Sequence, residues 1–199
     1  MKTNQSVSLP NVLGAPASQE LDKSRRAVSD WFAKTAVLIN WDTIDTPIGP
    51  LYLAVTDDGL NRVGFNQPQD SFISQLDPMA RTERNPRAIT DVADQLVDYF
   101  AGRRKVFDLR VDWRGVGDFQ RRVLLASLDI PLGHTLTYQQ VAQAIGKPKS
   151  SRAVGQALAR NPIPVVIPCH RVLGSDGSLH GYAGGLERKE ILLKLEGAM

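Results

Sequence analysis

The sequence predicts an α/β protein of two domains, a small antiparallel sheet with a covering helix followed by a mainly helical domain that carries a helix-turn-helix. Three observations carry that reading. Residues 46–65 alternate apolar and polar side chains with a period of two, the mark of a half-buried sheet. From Asp118 onward the apolar residues recur at helical spacing instead, and two short helical stretches are joined by a Gly/Pro turn. The change of character falls near Trp113, which divides the chain into a flexible tail at 1–35, a sheet and helix domain at 36–113 and a second domain at 114–199.

The tail mixes Ser, Pro, Asn and charge without sustained periodicity, apart from a short helix around "QELDKSRRAVSDWF". In "TPIGPLYLAVTDDGLNRVGF", Leu51, Leu53 and Val55 face one way and Tyr52, Ala54 and Thr56 the other, giving an antiparallel meander of about three strands. The next helix is expected over "NPRAITDVADQLVDYFAG", with Asn85 as its cap, Pro86 in the first turn and Gly102 as its stop. Ile89, Val92, Ala93, Leu96 and Phe100 form its inner face, and Phe107, Leu109 and Val111 alternate as one more strand.

Beyond Trp113, Phe119, Val123 and Ile130 have core spacing in a helix that ends before Pro131. Thr137 and Gln140 stand in capping-box register ahead of Val141 and Ile145, with Gly146 as the stop. "KPKSS" is a turn whose serines can cap "RAVGQALARN". On that last helix Lys149, Arg152, Gln156 and Arg160 follow at spacings of three, four and four, so they share a basic face while Val154 and Leu158 pack inward. Ala153, Gly155, Ala157 and Ala159 keep the helix thin enough to approach a nucleic-acid groove. An ordinary helical hairpin packing small residues on a neighbour gives the same pattern.

Composition narrows the function. The hydrophobic fraction of 42% supports a core, and one cysteine in 199 residues excludes an internal disulfide. With no Cys/His ligand spacing, neither a metal nor a cofactor is expected. No signal-peptide stretch or membrane span is visible, so a soluble monomer of the cytoplasm, or of the nucleus in a eukaryote, is the expectation. The net charge of +3 is uneven: residues 1–113 hold 13 Lys/Arg against 15 Asp/Glu, whereas 114–199 hold 11 against 6. A basic second domain suits a polyanion, or is simply a solvated surface.

The single thiol sits in "VVIPCHRVLG". A lone cysteine in apolar sequence reads as a small buried hydrophobe. Cys169 nevertheless has His170 and Arg171 beside it, both of which favour a thiolate, and Pro162, Pro164 and Pro168 force an irregular approach. On extended chain adjacent side chains diverge, so a Cys169–His170 contact needs a turn or a bridging water. In "ERKEILLKLEG" the stripe Ile191, Leu192, Leu195 puts Glu196 on the inward side, where a histidine could satisfy it; the alternative is a frayed helix end with Glu196 in water.

"IPCHRV", the "NP" that begins eight residues before the cysteine, "SSRAVG" and "GYAGGLERKEILLKLEG" together closely resemble the O6-alkylguanine-DNA alkyltransferases over about residues 40–199. The resemblance implies a ribonuclease-H-like first domain and a winged-helix-like second one. It implies repair of O6-alkylguanine, and of O4-alkylthymine, in double-stranded DNA by single-turnover transfer of the alkyl group to Cys169. His170 would act as base through a water, with Glu196 orienting it. Tyr138 and Arg152 would flip the nucleotide, Tyr138 also donating a proton, while Gln139, Ala153, Gly155 and Ser175 would contact DNA. Asn161 would be the hinge between the helix-turn-helix and the active-site loop. Tyr182, the Val172 carbonyl and the Ala183 amide would line the guanine pocket. Val116, Leu125 and Ala183 depart from common family patterns of threonine, tryptophan and serine. A family relative without the cysteine, a regulator without chemistry and a cysteine hydrolase are the rivals; none needs the whole set of motifs.

Overall fold

Leu51, Leu53 and Leu60 are buried almost completely, and they set the sheet at the centre of the N-terminal half. The computed structural model describes residues 18–65 and 67–199. The chain divides into two units, residues 1–36 and Val37–Met199. In the first, α1 (Ser18–Thr35) is longer than the short helix expected there; the rest of the expected tail, 1–17, lies outside the described residues.

In the second unit, β1 (Leu38–Ile44), β2 (Leu51–Thr56) and β3 (Gly59–Phe65) form the antiparallel meander, with a bulge at Ala54/Val55. A fourth strand that the sequence did not announce, β4 (Arg81–Arg84), adds parallel to β1 and completes the order β3-β2-β1-β4. Leu51, Leu53 and Val55 face the main core, as their alternation requires. The opposite face is covered as well: Ile39, Trp41 and Ala54 pack with Phe72 of α2 (Gln69–Ile73) and Leu76, and the Tyr52 ring stacks on Phe72 at 4.8 Å.

The helix α3 (Thr90–Phe100) starts later than expected. Asn85 instead accepts a hydrogen bond from the Ala88 N–H in a turn that carries Pro86, and Ile89 is the cap position. The expected strand at Phe107–Val111 is not one. It touches the sheet by a single bridge from Val111 to Leu60. The buried Gln95 amide of α3 takes over its backbone, donating to Asp108 O at 3.0 Å and accepting from Asp108 N at 2.9 Å. A side chain thus satisfies groups that a ladder would otherwise satisfy.

The C-terminal half is built from α4 (Asp118–Leu128), α5 (Tyr138–Ala144), α6 (Ser151–Ala159) and α7 (Leu186–Leu195). Val123, Leu124, Val141, Val154 and Leu158 join the sheet's inner face and Leu192 in one continuous hydrophobic core. Ser150 makes no side-chain cap bond at α6, contrary to the turn reading. The Thr137–Gln140 capping box does form: Thr137 Oγ1 accepts from Gln140 N at 3.2 Å, and Gln140 Oε1 accepts from Thr137 N at 2.7 Å. A two-strand parallel ribbon, β5 (Leu136–Thr137) with β6 (Val172–Leu173), ties that cap to the chain just after the cysteine turn. Thr137→Ala removes the hydroxyl acceptor of the box and is expected to cost about 1 kcal/mol in urea unfolding, with no change in the slope of the transition.

Candidate active site

After α6 the chain runs through Pro162, Pro164 and Pro168, which have no N–H to donate, so the loop must be held by other groups. Asn161, buried at the helix end, does much of this. Its Oδ1 accepts from Ile163 N at 3.0 Å, and its Nδ2 donates to Ile167 O at 2.9 Å and to Cys169 Sγ at 3.2 Å. Val165 lies in the left-handed region at φ 74°, a conformation that costs a β-branched residue energy and that the packed surroundings enforce. The run is therefore folded on itself, with a bridge between Pro164 and Ile167.

Cys169 opens a 3-10 turn, Cys169–Arg171, so the chain is not extended there; its sulfur accepts from Asn161, and the His170 ring turns to Glu196. The thiol is 6% exposed, and burial pushes its pKa up to about 11 although the Asn161 hydrogen bond and the Lys189 charge pull the other way. His170 is fully buried; its Nε2 lies 3.0 Å from Glu196 Oε1 and its Nδ1, shielded from solvent, has no hydrogen-bond partner. Burial pushes the imidazole pKa down, against the pull of Glu196.

Glu196 is the anchor of this cluster. Burial alone would raise its carboxyl, yet hydrogen bonds from His170 and Arg171 outweigh that and hold it at about 2. Tyr99 Oη donates to Oε1 at 2.7 Å, Arg171 Nε to Oε2 at 2.7 Å and Arg171 Nη2 to Oε1 at 2.8 Å. Arg171 Nη1 also donates to Ile130 O. Because an ionised carboxylate only accepts, His170 Nε2 carries the hydrogen and Nδ1 is left as a free base.

Tyr138, the first residue of α5, stands near the thiol: burial raises its pKa, and Cys169 adds to the effect. Tyr138, Gln139, Arg152, Gly155 and Ser175 line one open cavity of about 780 Å³, together with His180. Ala153 is exposed on the same helix but is not part of that lining. Tyr182 packs its ring on Phe65 at 5.6 Å and edge-on to His170 at 6.3 Å, with a buried hydroxyl that has no partner. Ala183 is exposed and faces a different cavity. Val172 is buried, and its carbonyl accepts from Lys189 Nζ at 2.7 Å.

Sequence reasoning overlooked Lys189 and Tyr99, and missed the pairing of Arg171 with Glu196. Lys189 is wholly buried, donates also to His180 O at 2.9 Å, and has its pKa brought down to about 8 by burial. Its signal was available, since Lys189, Leu192, Leu193 and Glu196 share one helix face. Of the expected stripe Leu192 is buried and keeps Glu196 inward, whereas Ile191 and Leu195 are over a third exposed. Tyr99 falls at heptad spacing from Val92 and could have been found the same way; Arg171 as the principal partner of Glu196 had no local signal. Among the described residues no cluster of three His, Cys, Asp or Glu forms a metal site, and no helix is long and apolar enough to cross a membrane.

A carboxyl whose folded pKa is depressed stabilises the fold above its unfolded pKa, near 4.3, and loses that contribution as pH falls towards its folded value. Glu196→Gln is expected to flatten the acid dependence of stability between about pH 5 and 2 by about one proton. It should also destabilise the protein by about 3–5 kcal/mol at neutral pH by leaving Arg171 buried and unpaired, as measured by denaturant titration at several pH values.

Similarity to known proteins agrees with this geometry. Residues 39–113 match the ribonuclease-like domain of 6-O-methylguanine DNA methyltransferase, and residues 118–198 match its DNA binding domain. A methylated-DNA-protein-cysteine methyltransferase of Methanosarcina barkeri is 46% identical over 156 residues, 78% of this chain and 96% of that protein. One from Salmonella typhimurium is 40% identical over 161 residues, 78% of this chain and 94% of that protein. The solved structure of Mycobacterium tuberculosis OGT in complex with DNA matches with a TM-score of 0.72 at 43% identity, covering 80% of this chain and 93% of that one. The chain therefore belongs to the 6-O-methylguanine DNA methyltransferase family.

Proposed function

We propose that this protein repairs DNA by moving the alkyl group from O6 of guanine, and from O4 of thymine, in duplex DNA onto Cys169. The observation that carries the reading is the placement of the chain's one thiol in a turn with His170, whose Nε2 hydrogen is committed to Glu196. A thiol raised to about 11 is protonated at neutral pH, so attack needs a base at the moment of reaction. The free Nδ1 of a neutral His170 takes that proton through a water, and the Glu196 carboxylate stabilises the imidazolium that results. Sulfur attacks the alkyl carbon in line, the C–O6 bond breaks, and Tyr138 donates a proton to the departing guanine at N3. The product is a thioether that water does not hydrolyse, so each chain reacts once.

The alkylated base must leave the stack to reach a buried sulfur, at a cost of a few kcal/mol. Arg152 fills the gap and Tyr138 crowds the phosphate, with Gln139, Ala153, Gly155 and Ser175 against the backbone and groove. The cavity that Tyr138, Arg152, Gly155 and Ser175 share supports this. Tyr182 forms the aromatic wall of the base pocket. The carbonyls of Cys169 and Val172 accept from the guanine amino group; Lys189 uses one lone pair of Val172 O and leaves the other. Asn161 is the hinge that braces the recognition helix against the loop. The working unit is a monomer in this reading, and residues 36–113 and 114–199 act as sheet and transfer domains.

With DNA carrying radiolabelled O6-methylguanine, the label is expected on the protein at no more than one per chain and absent from Cys169→Ala. Multiple turnovers, or label on the variant, would reject the mechanism. For Arg152→Ala, repair of duplex DNA should fall about a hundredfold while reaction with free O6-alkylguanine base changes little, since only the duplex route includes flipping. Equal losses on both would remove Arg152 from that step.

A further inference from the structure

Beyond the cysteine turn the chain folds tightly over residues 174–178, closed by hydrogen bonds from Gly174 N to Ser178 O and from Gly177 N to Gly174 O, each 3.0 Å. Three polar side chains meet there. Ser178 Oγ donates to Asp176 Oδ1 at 2.5 Å and lies 2.8 Å from His180 Nε2. Hydrogen bonds from Ser178 hold the Asp176 carboxyl below its ordinary range, so at neutral pH it is ionised and only accepts. Ser178 thereby spends its one hydrogen on Asp176, and its oxygen accepts from His180, which places the ring hydrogen on Nε2. In a hydrolytic triad the imidazole stands between the other two groups; here the serine does, so the trio orients a ring rather than activating a nucleophile.

The ring is seated on bare backbone. A Cβ at Gly174 would stand 2.6 Å from Asp176 Oδ1 and 2.7 Å from His180 Nε2, so only glycine lets the carboxylate and the imidazole close over this point. The His180 carbonyl is held as well, accepting from Lys189 Nζ at 2.9 Å and from Tyr138 Oη at 3.5 Å. His180 is itself exposed, on the wall of the 780 Å³ cavity that also holds Arg152 and Ser175. Among the described residues no carboxylate lines that cavity, and no hydrogen bond reaches His180 Nδ1.

Such a wall suits an anion. A neutral His180 offers it nothing, since Nδ1 then carries a lone pair, whereas the imidazolium offers an N–H. Of the groups around the ring, Asp176 favours the imidazolium, the Lys189 ammonium on α7 and the Arg152 guanidinium on α6 oppose it, and Tyr138 on α5 is neutral. A phosphate arriving in the cavity adds the negative charge that favours protonation.

We propose that His180 binds a backbone phosphate of duplex DNA as its imidazolium, so that DNA binding takes up one proton. The inference rests on the reading of this cavity as a DNA contact. A group whose pKa rises on binding contributes affinity at low pH and loses it as pH rises.

The test measures binding of the whole chain to an undamaged duplex by fluorescence anisotropy, where no alkyl transfer intervenes, at about pH 6 and about pH 8 and over a series of salt concentrations. Wild type should bind about tenfold more tightly at the lower pH, the scale of one charge-assisted hydrogen bond. Its plot of log affinity against log salt should also be steeper there by about 0.9, one more phosphate neutralised. His180→Gln should bind at both pH values as wild type does at the higher one; His180→Arg, permanently charged, should bind at both as wild type does at the lower one. A wild-type affinity that does not change with pH, or a ratio that persists in both variants, overturns the role of His180 and leaves the DNA reading standing. A wild-type chain that binds duplex DNA at neither pH rejects the two together.

Discussion

The buried carboxylate of Glu196 is the constraint on which the rest of the site depends. It accepts from Tyr99 on α3, from His170 and from Arg171 Nε and Nη2 in the cysteine turn, and it sits at the C-cap of α7. A charge in that position is tolerable only while all these donors remain in reach, so three distant parts of the sequence are held in one arrangement. Through Tyr99 the helix that covers the sheet is tied to this cluster. The N-terminal half is therefore more than a platform for the C-terminal one.

The loop that presents the thiol is rigid for a different reason. Its prolines remove donors, and the remaining polar needs converge on Asn161 and Lys189, whose side chains bond to the backbone on either side of the cysteine turn. The β5–β6 ribbon then fixes the start of α5 against the same segment, so the position of Tyr138 relative to the sulfur is set by backbone pairing and a helix cap. Groups that must act on one small atom in line benefit from such preorganisation, because little order remains to be imposed when the substrate arrives.

What could be read in advance follows from how local each signal is. The capping box, the core alternation of β2 and the inward turn of Glu196 are encoded within a few residues, and they were legible. Strand β4 was not, since "RTER" is exposed throughout and has no apolar alternation to announce it; it joins β1 by backbone pairing and by the Arg84–Asp42 ion pair. The Phe107–Val111 run has the alternation of a strand, yet its partner is the Gln95 side chain rather than a ladder.

A thiol that is 6% exposed and raised to about 11 is also a thiol at rest. Soluble oxidants and electrophiles attack thiolates, and here almost none is present or reachable. For a reagent that can be spent once, idle loss is as serious as slow reaction. The burial that keeps Cys169 protonated at rest thereby also shields it from reactions other than the transfer for which the site is arranged.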